Sequence, residues 1–160
     1  MPEPTTSATS ANREPRLVHD LVRFSLVSGL AVWIGGLTFY AAFVVPVGIK
    51  MFGSVPQGFA TQRATASLNL IGVCVLAMLL AHAIRTRCRS FWLTWSALAL
   101  VQALLFLQHG RLTAGLDPTT QSINAADFYD QHRLYLLLTA AQWLLGWTQL
   151  WLVLRNSSPK

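Results

Sequence analysis

The chain has 160 residues, 53% of them hydrophobic and only 11% charged, with a net charge of +6. Soluble domains usually carry about 25% charged residues, so this composition excludes an ordinary water-soluble domain. The twelve basic residues mostly flank apolar stretches and form no face with interleaved aromatics, which excludes a nucleic-acid surface.

Residues 1–16 hold Pro2, Pro4, Thr5, Thr6, Ser7 and Pro15. This stretch is too polar to bury and is predicted to be a disordered cytoplasmic tail. The apolar run that follows far exceeds the roughly 7–15 residues of a signal-peptide core, so it is read as an uncleaved first span.

No Asp, Glu, Lys or Arg lies between Arg23 and Lys50, Arg63 and Arg85, Arg89 and Arg111, or Arg133 and Arg155. The windows hold 26, 21, 21 and 21 residues. A helix rises about 1.5 Å per residue, so about 20 residues cross a hydrocarbon core about 30 Å thick. The fold class that follows is all-α, an integral membrane four-helix bundle with antiparallel neighbouring spans. Residues 17–155 form one domain with spans at about 21–47, 64–84, 91–109 and 133–154. Residues 156–160 are a second short cytoplasmic tail.

Span 1 places Ser25, Gly29, Trp33, Gly36 and Tyr40 on one side. Ser25 and Gly29 make a small-xxx-small step, which lets helix backbones approach. Pro46 and Gly48 are expected to end this span. Residues 49–63, with Gly53, Pro56 and Gly58, read as an interfacial turn. Span 2 leads into a short basic joint (Arg85, Arg87, Arg89) that forces a helical hairpin. Cys74 and Cys88 are separated by fourteen helical residues, about 21 Å, far beyond the roughly 7 Å limit for a disulfide.

Lipid gives no hydrophobic reason for helices to associate, so small residues and polar side chains must do it. Span 3 places Trp95, Gln102 and His109 seven residues apart. Span 4 places Tyr135, Gln142 and Gln149 seven apart, with Thr139 and Gly146 on the same face. Seven-residue polar repeats fit left-handed packing. Gln102 and Gln142 fall at nearly the same depth and are predicted to pair. The expected interior polar network is Gln102, His109, Tyr135, Thr139, Gln142 and Gln149. Trp143, Trp147 and Trp151 form a separate stripe, read as core or lipid-facing bulk.

The segment 110–132 between spans 3 and 4 carries Asp117, Asp127 and Asp130. Asn124 and Asp127 have capping-box-like spacing, so the last helix is expected to start near Asn124, before the membrane. His109 and His132 flank this segment. With Asp127 they are the candidates for a divalent transition metal of unassigned identity, although no HxxxH or ExxH spacing pre-organises them. Four histidines near span ends (His19, His82, His109 and His132) also raise a haem-bearing redox reading. Depth opposes it, because haem ligands belong well inside the bundle.

Basic residues are retained on the cytoplasmic side. Arg13, Arg16, Arg23, Arg85, Arg87, Arg89, Arg155 and Lys160 fall on one side. Lys50, Arg63, Arg111 and Arg133 fall on the other. This positive-inside balance predicts both termini in the cytoplasm, with the plasma (inner) membrane as the location. Charge-free spans oppose a proton or ion carrier. No nucleophile–base pair and no phosphate-binding motif occurs, so neither catalysis nor a cofactor is expected.

Three stretches carry a resemblance. Val32-Trp33-Ile34-Gly35-Gly36-Leu37-Thr38-Phe39-Tyr40 is followed by Phe43-Val44-Val45-Pro46, and span 4 opens His132-Arg133-Leu134-Tyr135 and continues to Gln142-Trp143. Over most of residues 20–154 the chain resembles the transmembrane-protein-205-like family, also described as domain of unknown function 4149. The resemblance implies a four-span bundle without an assigned biochemical activity. It implies that Trp33, Gly35, Gly36, Pro46, His132, Tyr135 and Gln142 belong to the family pattern. Copper-resistance membrane proteins carry a similar Trp-x-Gly-Gly helix, but this sequence has no Met-rich or His-rich tract to carry copper handling over.

The functional expectation is a non-catalytic structural or partner-binding membrane module. Its partners are the lipid bilayer and either a second copy or another membrane protein, met through span 1 or the tryptophan face. The alternative is a small-solute or transition-metal handling component built on His109, His132 and the Gln102–Gln142 seam.

Overall fold

A computed structural model describes residues 14–114, 116–117, 122–123 and 125–155. Most of the predicted N-terminal tail, the C-terminal tail and Asn124 lie outside the described residues. Residues 14–16, expected in the tail, instead open the first helix, α1 (Glu14–Phe39). Pro15 falls in its first turn, where a missing N–H has no helical partner to lose.

The helix does not stop at Pro46, which corrects the expected end of span 1. A π-turn (Tyr40–Val44) follows α1 and leads directly into α2 (Val45–Phe52). Proline has no N–H, and its ring crowds the carbonyl of the preceding turn. One turn of wider helix relieves that crowding: the Val45 N–H bonds the Tyr40 carbonyl, five residues back. The chain therefore passes the proline without breaking.

The expected interfacial turn over 49–63 is also corrected. Only Gly53 interrupts the helix there, at φ 83, with its N–H on the Ile49 carbonyl at 2.9 Å. A side chain would be strained at that φ, so glycine suits the break. α3 (Ser54–Thr86) begins at once, with Pro56 tolerated in its first turn. Arg87 and Cys88 alone then separate α3 from α4 (Arg89–Ala114).

After α4 the chain makes a two-residue antiparallel ladder, β1 (Leu116–Asp117) with β2 (Ser122–Ile123), pairing Leu116 with Ile123 and Asp117 with Ser122. Every other described element is helical. α5 (Ala125–Arg155) completes the chain, starting directly after Asn124, well ahead of the predicted span.

The bundle packs α1 against α3 and α5, and α4 against the same two helices. Leu30, Trp33 and Ile34 of α1 meet Val75 and Leu79 of α3, Phe91 and Leu98 of α4, and Leu152 and Val153 of α5 in one core. Four helical stretches are long and apolar enough to cross a membrane: Asp20–Phe52, Pro56–Thr86, Arg89–Ala114 and Asp130–Arg155. The first is 33 residues long, about 50 Å of helix, longer than the roughly 30 Å thickness of a hydrocarbon core.

The surface is inverted relative to a soluble protein. Phe24 (70%), Val32 (66%) and Leu100 (62%) are largely exposed, while Gln102, Gln142 and Gln149 are buried. Six polar side chains (Gln57, Asn69, Gln102, Gln108, Gln142 and Gln149) are buried in all among the described residues.

Candidate functional site

Seven helical residues climb about 10 Å. Tyr135, Gln142 and Gln149 therefore lie on one face of α5 at three levels, too far apart for their polar ends to touch. The single interior network expected from the sequence resolves into three separate rungs for this reason.

At the central rung the Gln142 Nε2 donates to Gln102 Oε1, joining α5 to α4. Gln102 is 3% exposed and Gln142 1%. The α3 backbone comes up against this pair at Gly72. A Cβ there would stand 2.6 Å from Gln102 Oε1 and 2.9 Å from Trp33 Nε1. Gly72 is thus the clearance that lets α3 close over Trp33 and Gln102. The Trp33 Nε1 and Gln102 Nε2 are buried without a hydrogen-bond partner. All four long helices meet at this level, since a Cβ added at Gly146 of α5 would stand 3.1 Å from Ile34 Cγ1 of α1.

The rung toward the α3–α4 turn holds Gln149. Its Nε2 reaches the Phe91 carbonyl at 3.5 Å, and its Oε1 has no partner. Trp95 was expected on the α4–α5 seam. It turns instead to α3, where its Nε1 donates to the Leu76 carbonyl at 3.0 Å. That carbonyl already serves its own helix, so a long side chain can cross-link two helices without disturbing either ladder.

At the opposite end the Tyr135 hydroxyl accepts from Asn69 Nδ2 at 3.3 Å. His109 lies against the same tyrosine, with ring centroids 6.3 Å apart. Gln108 Nε2 donates to the Gln131 carbonyl at 3.2 Å. Thr139 does not join the seam, because its hydroxyl returns to the Tyr135 carbonyl of its own helix at 2.9 Å. Threonine on a helix commonly bonds the carbonyl four residues back. Beside this rung, Gln62, Arg63, His109 and Thr113 line an open cavity of about 460 Å³, and Gln62 Nε2 donates to Thr113 Oγ1 at 2.9 Å across it.

His132 is exposed on α5, and the Asp127 side chain lies outside the described residues. No group of three metal-ligating side chains is assembled among the described residues. His82, one of the remaining histidines, packs edge-on against Phe91 at 5.1 Å.

A second polar feature was not expected. The side chain of Gln57, 6% exposed, lies against the α2 backbone. Its Nε2 donates to the Val44 carbonyl at 3.4 Å, at the end of the π-turn. A Cβ at Gly48 would overlap its amide, at 2.0 Å from Oε1. Around it Phe39, Phe43, Val47, Met51 and Phe52 line an open apolar cavity of about 400 Å³.

Asn69, Gln57, Gln108 and Thr38 escaped the sequence reading. Asn69 carried a usable signal as the one carboxamide in the charge-free window 64–84. Thr38 accepts from Trp143 Nε1 at 2.9 Å, a contact between positions 105 residues apart that no local pattern announces.

Both cysteines are free thiols. Cys88, in the α3–α4 turn, lies 3.2 Å from the Ser90 hydroxyl. That hydroxyl, followed by the backbone N–H of Phe91, holds the thiol below its ordinary range.

The residues that carry the resemblance divide by environment. Trp33, Tyr135 and Gln142 are buried in the rungs, and a Cβ added at Gly36 would stand 3.2 Å from Leu68 Cδ2. Gly35 faces open space and His132 is exposed. Comparison of the chain with protein-family models, with curated proteins and with solved structures finds no match in any of the three.

Proposed function

We propose that this chain is an integral membrane protein whose four spans alternate in direction, and that it serves as a structural or partner-binding membrane module without catalysis of its own. The inverted surface carries this reading. Side chains such as Phe24, Val32 and Leu100 are exposed while amides are sealed inside. In water so much contiguous apolar surface would drive aggregation, whereas lipid accepts it. The order of contacts supports alternating direction: Phe91 meets Gln149, Gln102 meets Gln142, and Gln108 meets the carbonyl of Gln131.

The packed centre favours a module over a conduit. Leu30, Leu79, Leu98 and Leu105 have no exposed surface, and both cavities described above open outward rather than into the core. The resemblance to the transmembrane-protein-205-like family is part of the same proposal, as are cytoplasmic termini in the inner membrane. Carbonate extraction of membranes, with protease-accessible tags at each terminus, tests it. The expected result is a pellet-bound chain with both tags shielded in intact cells. Release into the carbonate supernatant would end the membrane reading, and outside-accessible tags would reverse the orientation.

One observation favours the second reading, small-solute or metal handling. His109 lines the cavity with Gln62, Arg63 and Thr113. Calorimetry with zinc or copper, on the wild type and on His109→Ala with His132→Ala, tests it. Binding lost in the double variant would establish that reading, and no heat in either protein would remove it.

A further inference from the structure

The end of the bundle that carries the α3–α4 turn is strongly cationic. Arg85, Arg87 and Arg89 are all exposed there within five residues. α5 ends at the same level with Arg155, because Gln149 already meets Phe91. α1 brings Arg23 to this end. Its residues Thr38 and Ile34 meet Trp143 and Gly146 in turn, so its earlier turns lie beside the last turns of α5.

Little opposes this charge. The chain has no Asp or Glu between Asp20 and Asp117, so α3 and α4 contain no carboxylate. Among the described residues, Arg85, Arg87 and Arg89 enter no ion pair. The described carboxylate at this end is Asp20, which bounds the acid-free stretch on α1 and is already engaged. Arg23 has Asp20 three residues away, as Arg133 at the opposite end has Asp130, whereas Arg85, Arg87 and Arg89 stand on elements without a carboxylate.

Aromatic residues mark the same level. Arg155 lies over the Trp151 ring, 5.0 Å from its centroid. Trp92 and Trp95 meet edge to face at 5.7 Å in the first turns of α4. Tryptophan gathers where headgroups meet hydrocarbon. The backbone adds a further sign: Arg87 sits at φ 49, in the left-handed region that usually selects glycine at a helix end. Its guanidinium is kept at a position where the turn itself would fold better without a side chain.

We propose that this end of the bundle is a binding site for anionic phospholipid, with headgroup phosphates held by Arg85, Arg87 and Arg89. A guanidinium matches phosphate oxygens with two parallel hydrogen bonds. A zwitterionic lipid carries its own cation beside the phosphate and competes poorly for an uncompensated arginine cluster. The phosphate chemistry is shared with free inorganic phosphate, but the tryptophan level points to a lipid. This proposal rests on the membrane-spanning reading above.

The test reconstitutes the full chain in phosphatidylcholine vesicles, with and without added phosphatidylglycerol, and reads Tm together with lipid retained in native mass spectrometry. Phosphatidylglycerol is expected to raise Tm and to remain bound. The triple variant Arg85→Gln, Arg87→Gln, Arg89→Gln is expected to lose most of both effects. Arg87→Gly separates binding from folding: its Tm rises in neutral detergent, yet its gain from phosphatidylglycerol shrinks. A purely structural arginine would not give those opposite signs. Full lipid-dependent stabilisation in either variant overturns the proposal, as does an equal gain from inorganic phosphate. A chain that inserts in phosphatidylcholine but ignores phosphatidylglycerol refutes this site alone. A chain that inserts in neither vesicle refutes the membrane reading, and this site with it.

Discussion

Gln142 donates its side-chain N–H to the carboxamide oxygen of Gln102 at the level where all four long helices meet. Both amides are sealed from outside. A hydrogen bond between spans is worth about 0.6 kcal/mol on average and about 1.7 at most. Removing one partner costs more, because the other buried amide loses its mate, about 1–3 kcal/mol. Gln102→Leu and Gln142→Leu should each destabilise the bundle by about 1–2 kcal/mol. The double variant should cost clearly less than the two together. Reversible unfolding in mixed micelles measures the cycle, and strict additivity would show that the pair is not coupled.

Gly72 and Gly35 make a matched comparison. A methyl on Gly72 would press on Gln102 and Trp33, whereas a methyl on Gly35 meets nothing within 4 Å. Overpacking costs roughly 1–3 kcal/mol. Alanine in an open helical position gains about 0.5–1 kcal/mol over glycine. Gly72→Ala should therefore lower Tm while Gly35→Ala leaves it level or raises it. Equal effects at the two sites would contradict the close approach of α3.

Gly48 admits the Gln57 amide to the helix backbone. Gly48→Ala should expel that side chain and uncover the Val44 carbonyl it caps. Faster amide exchange confined to the π-turn and α2 is the expected signature, with the α4–α5 pair untouched. Exchange spread across the whole bundle would mean that the contact is not local.

Cys88 supplies a pH readout outside the spans. Its thiol is held below the ordinary range by the Ser90 hydroxyl and the Phe91 N–H. Alkylation by a water-soluble maleimide follows the thiolate fraction, so its midpoint should lie below that of a free thiol, and Ser90→Ala should move it up. The linkage has a defined sign. A depressed acid favours the folded state above its unfolded-chain value, and that contribution fades as pH falls through the folded value. A midpoint unchanged in Ser90→Ala would remove the hydroxyl as the cause.

The four long apolar helices were legible in the sequence, because four charge-free windows of more than 20 residues leave little choice. The amide pair was legible too, since a seven-residue spacing fixes the face and the window midpoint fixes the depth. The ends of elements were not. Pro46 and residues 49–63 carried ordinary stop signals, yet a π-turn carried the helix past Pro46, and only Gly53 breaks it before α3 begins. Local propensity cannot weigh a wider turn against a break, because neighbouring α3 supplies Gln57 to cap it.

Sequence by itself determined which side chains avoid charge and which faces carry amides, since both follow from helical period and solvent preference. Beyond the Gln102–Gln142 pair, only tertiary structure decided partners. Trp95 took a carbonyl of α3 rather than the α4–α5 seam, Thr139 bonded its own helix, and Trp143 found Thr38. Those choices depend on distances between helices, and the distances are set by which small residues, Gly72 and Gly146 above all, let the backbones close.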